Sequence, residues 1–207
     1  ELKPEQKAAA TDLRLTGKLS TTGNSDFRQM RDLCYQLHTA DLSGADCEVI
    51  PNNAFHSRHA LEKVLLPDNV KSIGSQAFFA CTRLAQITLP KSLTRVGDAA
   101  FSSCSALKEI TINGTPTLGE FAFARLSALR IVRVNSTTPP VASPSTFDGL
   151  DRKRVKLIVP KGSEIKYRKA AGWSIFFSAP DNENKLCNPQ EAIVPIPVKI
   201  QTLEGTA

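Results

Sequence analysis

From residue 61 onward, apolar and polar positions alternate in short runs that restart at a nearly fixed interval. Residues 61–83 read LEKVLLPDNVKSIGSQAFFACTR and residues 84–106 read LAQITLPKSLTRVGDAAFSSCSA. Each copy opens on a Leu, alternates with period two into a Pro, passes an apolar–Gly pair, reaches Ala-Phe, and carries a Cys three residues after that Phe. Period two predicts a strand, with Val64 and Leu66 inward and Lys63 and Leu65 outward. The template continues in weaker form over 107–128 and 129–150, and backwards over 37–60, making five copies. Phe55, Phe78, Phe101, Phe123 and Phe147 keep the phase at spacings of 23, 23, 22 and 24.

A strand repeated every 23 or so residues is the period of a leucine-rich repeat. The expected fold is an α/β repeat solenoid, a right-handed coil whose parallel sheet has about six or seven short strands and is capped at both ends. One inward ladder is predicted through Ala40, Val64, Ile87, Ile110, Val132 and Leu157, and a second through Leu42, Leu66, Leu89, Ile112, Val134 and Val159. Leu13 and Leu15 extend both into a first rung. Because Leu61, Leu84, Leu107 and Leu129 each follow their Phe by six, the turn from Phe into strand is closely packed, and the chain leaving the strand is an adjustable loop. Pro67, Pro90 and Pro160 end the strands, since a residue without an N–H closes a ladder at little cost. Gly74, Gly97 and Gly119 mark a corner that needs either positive φ or close backbone approach.

The end rungs require covers. Asn24 or Ser25 is a helix-cap candidate, and Phe27, Met30, Leu33, Cys34 and Leu37 share one face of a helix to about Leu37. Residues 1–36 are thus an N-terminal cap with a first rung, 37–160 the repeats, 161–179 a C-terminal cap and 180–207 a Pro-rich tail or linker. In the C-terminal cap Ser163 is the N-cap candidate of a short helix to Ala171, Gly172 its stop, and Trp173 with Phe176 a lid on the last rung. The IVPIPVKI run of the tail suits an edge strand or a linker.

Charge and candidate chemistry alter this picture little. The net charge of +6 is concentrated in residues 151–169, DRKRVKLIVPKGSEIKYRK, where Arg152, Lys153, Arg154 and Lys161 form a basic patch suited to an anionic glycan. Without interleaved aromatic or glycine-rich elements, the block does not point to nucleic acid. The pairs Cys34/His38 and His56/His59 lack a third ligand, so no metal is expected, and no cofactor motif occurs. No nucleophile elbow or phosphate loop is present, and the chain is expected not to be an enzyme. Cys81 and Cys104 share one repeat position with Leu126 and Leu150, which identifies it as core, although adjacent rungs are near enough for a disulfide. The odd count of five leaves the states of Cys34, Cys47 and Cys187 open. Asn113-Gly-Thr and Asn135-Ser-Thr match the glycosylation acceptor pattern, which is short and common by chance. No stretch is apolar enough to span a membrane as a helix, and no pattern fixes the oligomeric state. The chain starts at Glu1 without Met or an apolar leader, so either a leader has been removed or the chain is cut from a longer one.

The IGxxAFxxCxxLxxIxLP unit, closest over residues 71–90 (KSIGSQAFFACTRLAQITLP), and the segment VPKGSEIKYRKAAGW resemble the BspA-like (bacterial surface antigen) leucine-rich repeats over residues 37–176. The first and fourth copies depart from the unit, with Arg58 and Leu126 at the Cys position. The resemblance implies an exported protein at the cell surface or facing the periplasm, adhesion-like, meeting a host or bacterial surface protein or a glycan. The alternative is a structural spacer. Within that expectation the outward sheet face is the candidate contact, with Ile131 and Ile158 as exposed aliphatics beside Arg133 and Lys156. Its columns hold no aromatic residue, which disfavours sugar stacking there.

Overall fold

The computed structural model describes residues 9–21 and 26–177, and the backbone alone of 201–203. Seven strands form the main wall: β1 (Asp12–Lys18), β2 (Thr39–Asp46), β4 (Lys63–Leu65), β6 (Gln86–Leu89), β8 (Glu109–Ile112), β10 (Ile131–Val134) and β11 (Lys156–Pro160). All their pairings are parallel, and the predicted inward ladder is in register at Ala40↔Val64, Ile87↔Ile110, Ile110↔Val132 and Val132↔Leu157. A final strand, β12 (Gln201–Leu203), pairs with β11. The second inward column is fully buried at Leu42, Leu89, Ile112, Val134 and Val159, but Leu66 lies past the end of β4 and is only half-buried.

The wall is not continuous. β1, β2 and β4 form one sheet and β6, β8, β10, β11 and β12 another, joined across the gap by a bond from the amide of Ala85 to the carbonyl of Glu62 at 3.2 Å. β1 also slips register between Arg14 and Thr16, so Leu13 continues its ladder opposite Ala40 whereas Leu15 has no partner in register.

The segment leaving β2, β4, β6 and β8 is more ordered than a loop. It holds a two-residue strand, and β3 (Val49–Ile50), β5 (Ser72–Ile73), β7 (Arg95–Val96) and β9 (Thr117–Leu118) build a second parallel sheet. Ile50, Ile73, Val96 and Leu118 each precede their Phe by five, so the variation in repeat length is confined to the link between the two sheets.

At the turn that carries the Phe, the glycines serve close approach and not positive φ. Gly74, Gly97 and Gly119 are absent from the positive-φ residues; there the next rung simply passes too close, and a Cβ on Gly97 would sit 2.5 Å from the amide nitrogen of Ser75. The left-handed positions fall elsewhere, on the pairs Asn53/Ser57, Gln76/Ala80, Ala99/Ser103 and Phe121/Arg125, with φ of 52–63°. Each such residue costs about 1–2 kcal/mol. In return the amides of Gln76, Phe78 and Ala80 turn along the solenoid axis and donate to Asp98, Ala100 and Ser102 of the next rung at 2.8–2.9 Å. The amides between them bond back within the turn, so the curved wall leaves few buried N–H groups unpaired.

Inside that wall the Phe column stacks almost face to face, with centroids 5.2, 5.0, 5.4 and 5.7 Å apart from Phe55 to Phe147 and planes within 16°. Edge-on rings end the stack: Phe27 meets Phe55 at 89°, and Trp173 meets Phe147 at 62°. Phe27 comes from α1 (Asp26–Leu33), which stops before the predicted Leu37, although Met30, Cys34 and Leu37 are buried with it. Asn24 and Ser25 lie outside the described residues.

At the other end α2 (Glu164–Lys169) and a 3-10 turn (Ser174–Phe177) bring Trp173 and Phe176 onto the last rung as expected, with Trp173 Nε1 donating to the carbonyl of Pro140 at 2.7 Å. Ser163 precedes the helix but does not cap it; its hydroxyl donates backwards to the carbonyl of Pro160 at 2.6 Å. The helix ends at Lys169, short of Ala171, on an extended Ala170, and Gly172 is required because its φ is +74 and an added Cβ would sit 2.6 Å from the Ser143 carbonyl oxygen. The IVPIPVKI run and Cys187 lie outside the described residues.

Candidate interaction surfaces

The outward side of the main wall carries the residues that register leaves free of the core. Ile131 stands between Glu109 and Lys156, and Arg133 between Thr111 and Ile158. Arg133 Nε lies 3.4 Å from Glu109 Oε1, and both side chains are about one-third exposed. A pair this accessible contributes at most about 1 kcal/mol and orients the guanidinium more than it stabilises the fold. At the other end of the face Arg14 lies 3.5 Å from Asp41, whose carboxyl is held below its ordinary range by the Ser43 hydroxyl at 2.6 Å, the Ser43 amide and Arg14.

Ile131 and Lys156 are half-buried, but Ile158 is only 4 % exposed. The expectation that Ile158 is an exposed aliphatic is therefore corrected: β12 pairs beside it, with Ile158 opposite Gln201, so β11 is not the edge of the sheet.

The predicted basic patch divides. Arg152, Lys153 and Arg154 lie in the turn that enters β11, closed by the Arg154 amide on the Asp151 carbonyl at 3.0 Å, while Lys161 lies past the other end of that strand. Five extended residues separate the two groups by roughly 16 Å. Arg154 is also paired with Asp151 at 2.9 Å. The turn instead joins cations contributed by earlier rungs, Lys108 and Arg130, whose backbones are linked by the Arg130 amide on the Lys108 carbonyl at 2.9 Å.

Where the two sheets part, a groove of about 250 Å³ opens between Ser43, Lys63, Leu65, Gln86, Thr88 and Asn113, and Leu65 is 38 % exposed beside it. Repeat periodicity gave no signal for it, because β4 and β6 have the same pattern as strands that do pair. A larger cavity of about 560 Å³ lies at the N-terminal end, lined by Leu13, Leu15, Leu19, Met30 and Cys34 with Arg14, Lys18 and Asp26.

Cys34, Cys47, Cys81 and Cys104 are buried and stand outside any disulfide. Burial pushes Cys81 up to about 12 and Cys104 well above its usual value, which removes nucleophilic character from both. His56 stacks on Phe79 at 5.1 Å with its Nδ1 3.0 Å from the Ser57 hydroxyl, and His59 faces Thr82 at 3.4 Å. Among the described residues no three His, Cys, Asp or Glu side chains converge on a metal-sized point, and no helix is long and apolar enough to cross a membrane. Asn113 and Asn135 are bonded to each other side chain to side chain at 2.7 Å, an Asn step on the strand-exit corner.

Residues 46–154 match the family model described as BspA type leucine rich repeat region, in six copies. A leucine-rich repeat protein of T. pallidum is similar at 29 % identity and TM-score 0.51, over 63 % of this chain and 59 % of that one. The pneumococcal vaccine antigen PcpA is similar in fold, at 20 % identity and TM-score 0.50, over 70 % of this chain and 41 % of its own. A leucine-rich repeat protein from Bacteroides ovatus aligns at 25 % identity and TM-score 0.49, over 62 % of this chain and 31 % of that one. The chain thus spans between about a third and three-fifths of the length of these solved relatives. No curated protein sequence matches it.

Proposed function

The chain belongs to the BspA-type leucine-rich repeat family, and from that premise we propose that it is a non-catalytic interaction module of an exported bacterial surface protein. The partner is a host or bacterial surface protein, met on the outward face of the main wall around Ile131, Arg133 and Lys156. The observation that carries this reading is the register itself: these side chains alternate with Val132, Val134 and Leu157, which fill the core, so the outward positions are not part of that core. A half-buried aliphatic flanked by a guanidinium and an ammonium is the arrangement of a contact patch with an anchor and a polar rim. Export accords with the family resemblance and with a likeness in fold to a vaccine antigen.

An array of host-matrix and bacterial surface proteins probed with the chain tests the proposal. Saturable binding that is lost in the Ile131→Ser/Arg133→Ser double variant, at unchanged melting temperature, supports it. A clear fall in melting temperature means that the patch is covered by the protein's own chain, which sinks this location for the site. Labelling of intact cells with a membrane-impermeant reagent tests export.

A second reading, a spacer that positions neighbouring domains, is favoured by the ion pairs Arg133–Glu109 and Arg14–Asp41, which satisfy charges of the face internally. It requires that no component of such an array bind saturably.

A further inference from the structure

The corner where each convex turn enters the main wall changes character along the solenoid. In the early rungs it is neutralised, with Arg83 paired to Glu62 at 2.6 Å. In the last three rungs it gathers Lys108, Arg125, Arg130, Arg152, Lys153 and Arg154, all exposed, against the exposed acids Asp148 and Asp151. Asp151 is engaged by Arg154. No carboxylate of the described residues pairs with Lys108, Arg125, Arg130 or Arg152.

Hydrogen bonds fix these residues to neighbouring rungs. The Arg130 amide bonds the Lys108 carbonyl, and the Lys156 amide bonds the Arg130 carbonyl at 2.7 Å. The Arg125 amide bonds the Asp148 carbonyl at 2.8 Å, and its side chain runs alongside Gly149, where an added Cβ would meet Arg125 Cγ at 3.4 Å. The turn Asp151–Arg154 is the counterpart of the turn Leu126–Leu129, closed in the same way at 3.1 Å, so Arg152 occupies the place of Ser127 one rung later. Arg130 folds back on that earlier turn, donating to the carbonyls of Leu129 at 2.8 Å and Ser127 at 3.5 Å, which holds its charge at the corner. Beside the cations runs a column of hydroxyls: Ser105 donates to the Thr82 carbonyl and Ser127 to the Ser105 carbonyl, leaving their oxygens free to accept.

We propose that this corner, from Lys108 through Arg130 to Arg152, is a binding ridge for an anionic polysaccharide, with Lys108 and Arg130 in register one rung, about 4.8 Å, apart and Arg152 on the turn of the next rung. Point charges and hydroxyl acceptors on successive rungs suit a sulfated or carboxylated sugar chain, which is recognised through exocyclic anions and hydroxyls. Single-stranded nucleic acid fits less well, because its binding draws about 1–3 kcal/mol per base from stacking on aromatic rings, and the residues of the ridge and its hydroxyl column include none. The ridge is separate from the Ile131–Arg133 face, and each can fail alone.

The probe is heparin, measured by titration against the whole chain, with neutral dextran and a poly-dT oligonucleotide alongside. Binding is expected to heparin and not to dextran, to weaken steadily from about 0.05 M to about 0.5 M salt, and to fall at least about tenfold at low salt in a Lys108→Glu/Arg130→Glu/Arg152→Glu variant. The same variant should keep its melting temperature within a few degrees, since all three side chains are exposed. The Ile131→Ser/Arg133→Ser variant should bind heparin normally, whatever becomes of its protein partner. Three outcomes overturn the ridge: no heparin binding at low salt, undiminished binding by the folded triple variant, or tighter binding to poly-dT than to heparin, which assigns the corner to nucleic acid. If the triple variant fails to fold, the single Arg152→Glu variant replaces it, and heparin binding by that folded protein equal to wild type overturns the proposal.

Discussion

The Sγ of Cys104 donates to the carbonyl oxygen of Phe78 at 3.1 Å, and Phe78 belongs to the preceding rung. Cys81 repeats the contact on Phe55 at the same 3.1 Å. In the first copy, where the Cys position holds Arg58, the guanidinium reaches back to the carbonyl of Arg31 at 2.7 Å instead. In these three copies the repeat position supplies a donor to a carbonyl one rung away, and a thiol does so with far less volume than a guanidinium.

The two thiols should behave as buried donors and not as a redox pair. Iodoacetamide at pH 8 should leave Cys81 and Cys104 unmodified in the folded protein and alkylate both after denaturation, and native mass spectrometry should show no bridge between them. Because the folded pKa of Cys81, about 12, lies above its ordinary value of 9.0, its protonated state adds stability that is complete below pH 9 and lost as pH rises toward 12. The slope in that window is roughly 1.4 kcal/mol per pH unit for Cys81 alone, and urea titrations in a Cys81→Ala background should show it reduced.

Glycines in this chain should separate by cause. Gly97→Ala places its Cβ 2.5 Å from the Ser75 amide nitrogen and 2.7 Å from the Gly74 carbonyl carbon, backbone that cannot move without opening the rung. A loss of about 2–3 kcal/mol or more in urea unfolding is expected. Gly17→Ala meets nothing within 4 Å and bears only the conformational cost of φ +77, about 1 kcal/mol. Equal losses would show that crowding at Gly97 has been overestimated.

At the left-handed positions the sign should reverse. Gln76 has φ 55 and an exposed side chain, so Gln76→Gly relieves strain while adding freedom to the unfolded chain. The expected result lies between no change and a gain of about 1 kcal/mol. A loss well beyond that range would mean that the side chain of Gln76 makes a contribution the strain argument omits.

Trp173 is the single Trp, wholly buried, and its ring closes the Phe column edge-on. Its fluorescence should be blue-shifted and protected from acrylamide, and Trp173→Ala should cost about 3–5 kcal/mol. Trp173→Phe, which loses only the bond to Pro140 and part of the ring, should cost less than half of that. Were Trp173→Ala harmless, the last rung would have to be covered by something other than this lid.

The sequence by itself determined the coil. The phase kept by Phe55 through Phe147, the alternation of Val64, Ile87 and Ile110 with Lys63, Gln86 and Glu109, and the large residues at both ends required stacked strands, an aromatic column and lids. These follow from periodicity because each rung buries the same positions against its neighbours. The choice between φ and crowding at Gly97 needed the neighbouring rung in place, since a Cβ clash with Ser75 is a distance across the coil and not a property of the glycine. Nor could a pattern show that β4 and β6 part, because pairing depends on the geometry of two strands and their composition is alike. Chain order grouped Lys161 with Arg152 and set Ile158 on an open face. The coordinates decided otherwise: an extended β11 holds Lys161 away from Arg152, β12 lies beside Ile158, and the turn hydrogen bonds bring Lys108 and Arg130 to the corner that Arg152 occupies. Side chains join a surface when their rungs are adjacent, and adjacency across rungs is what a linear spacing of about 23 residues conceals.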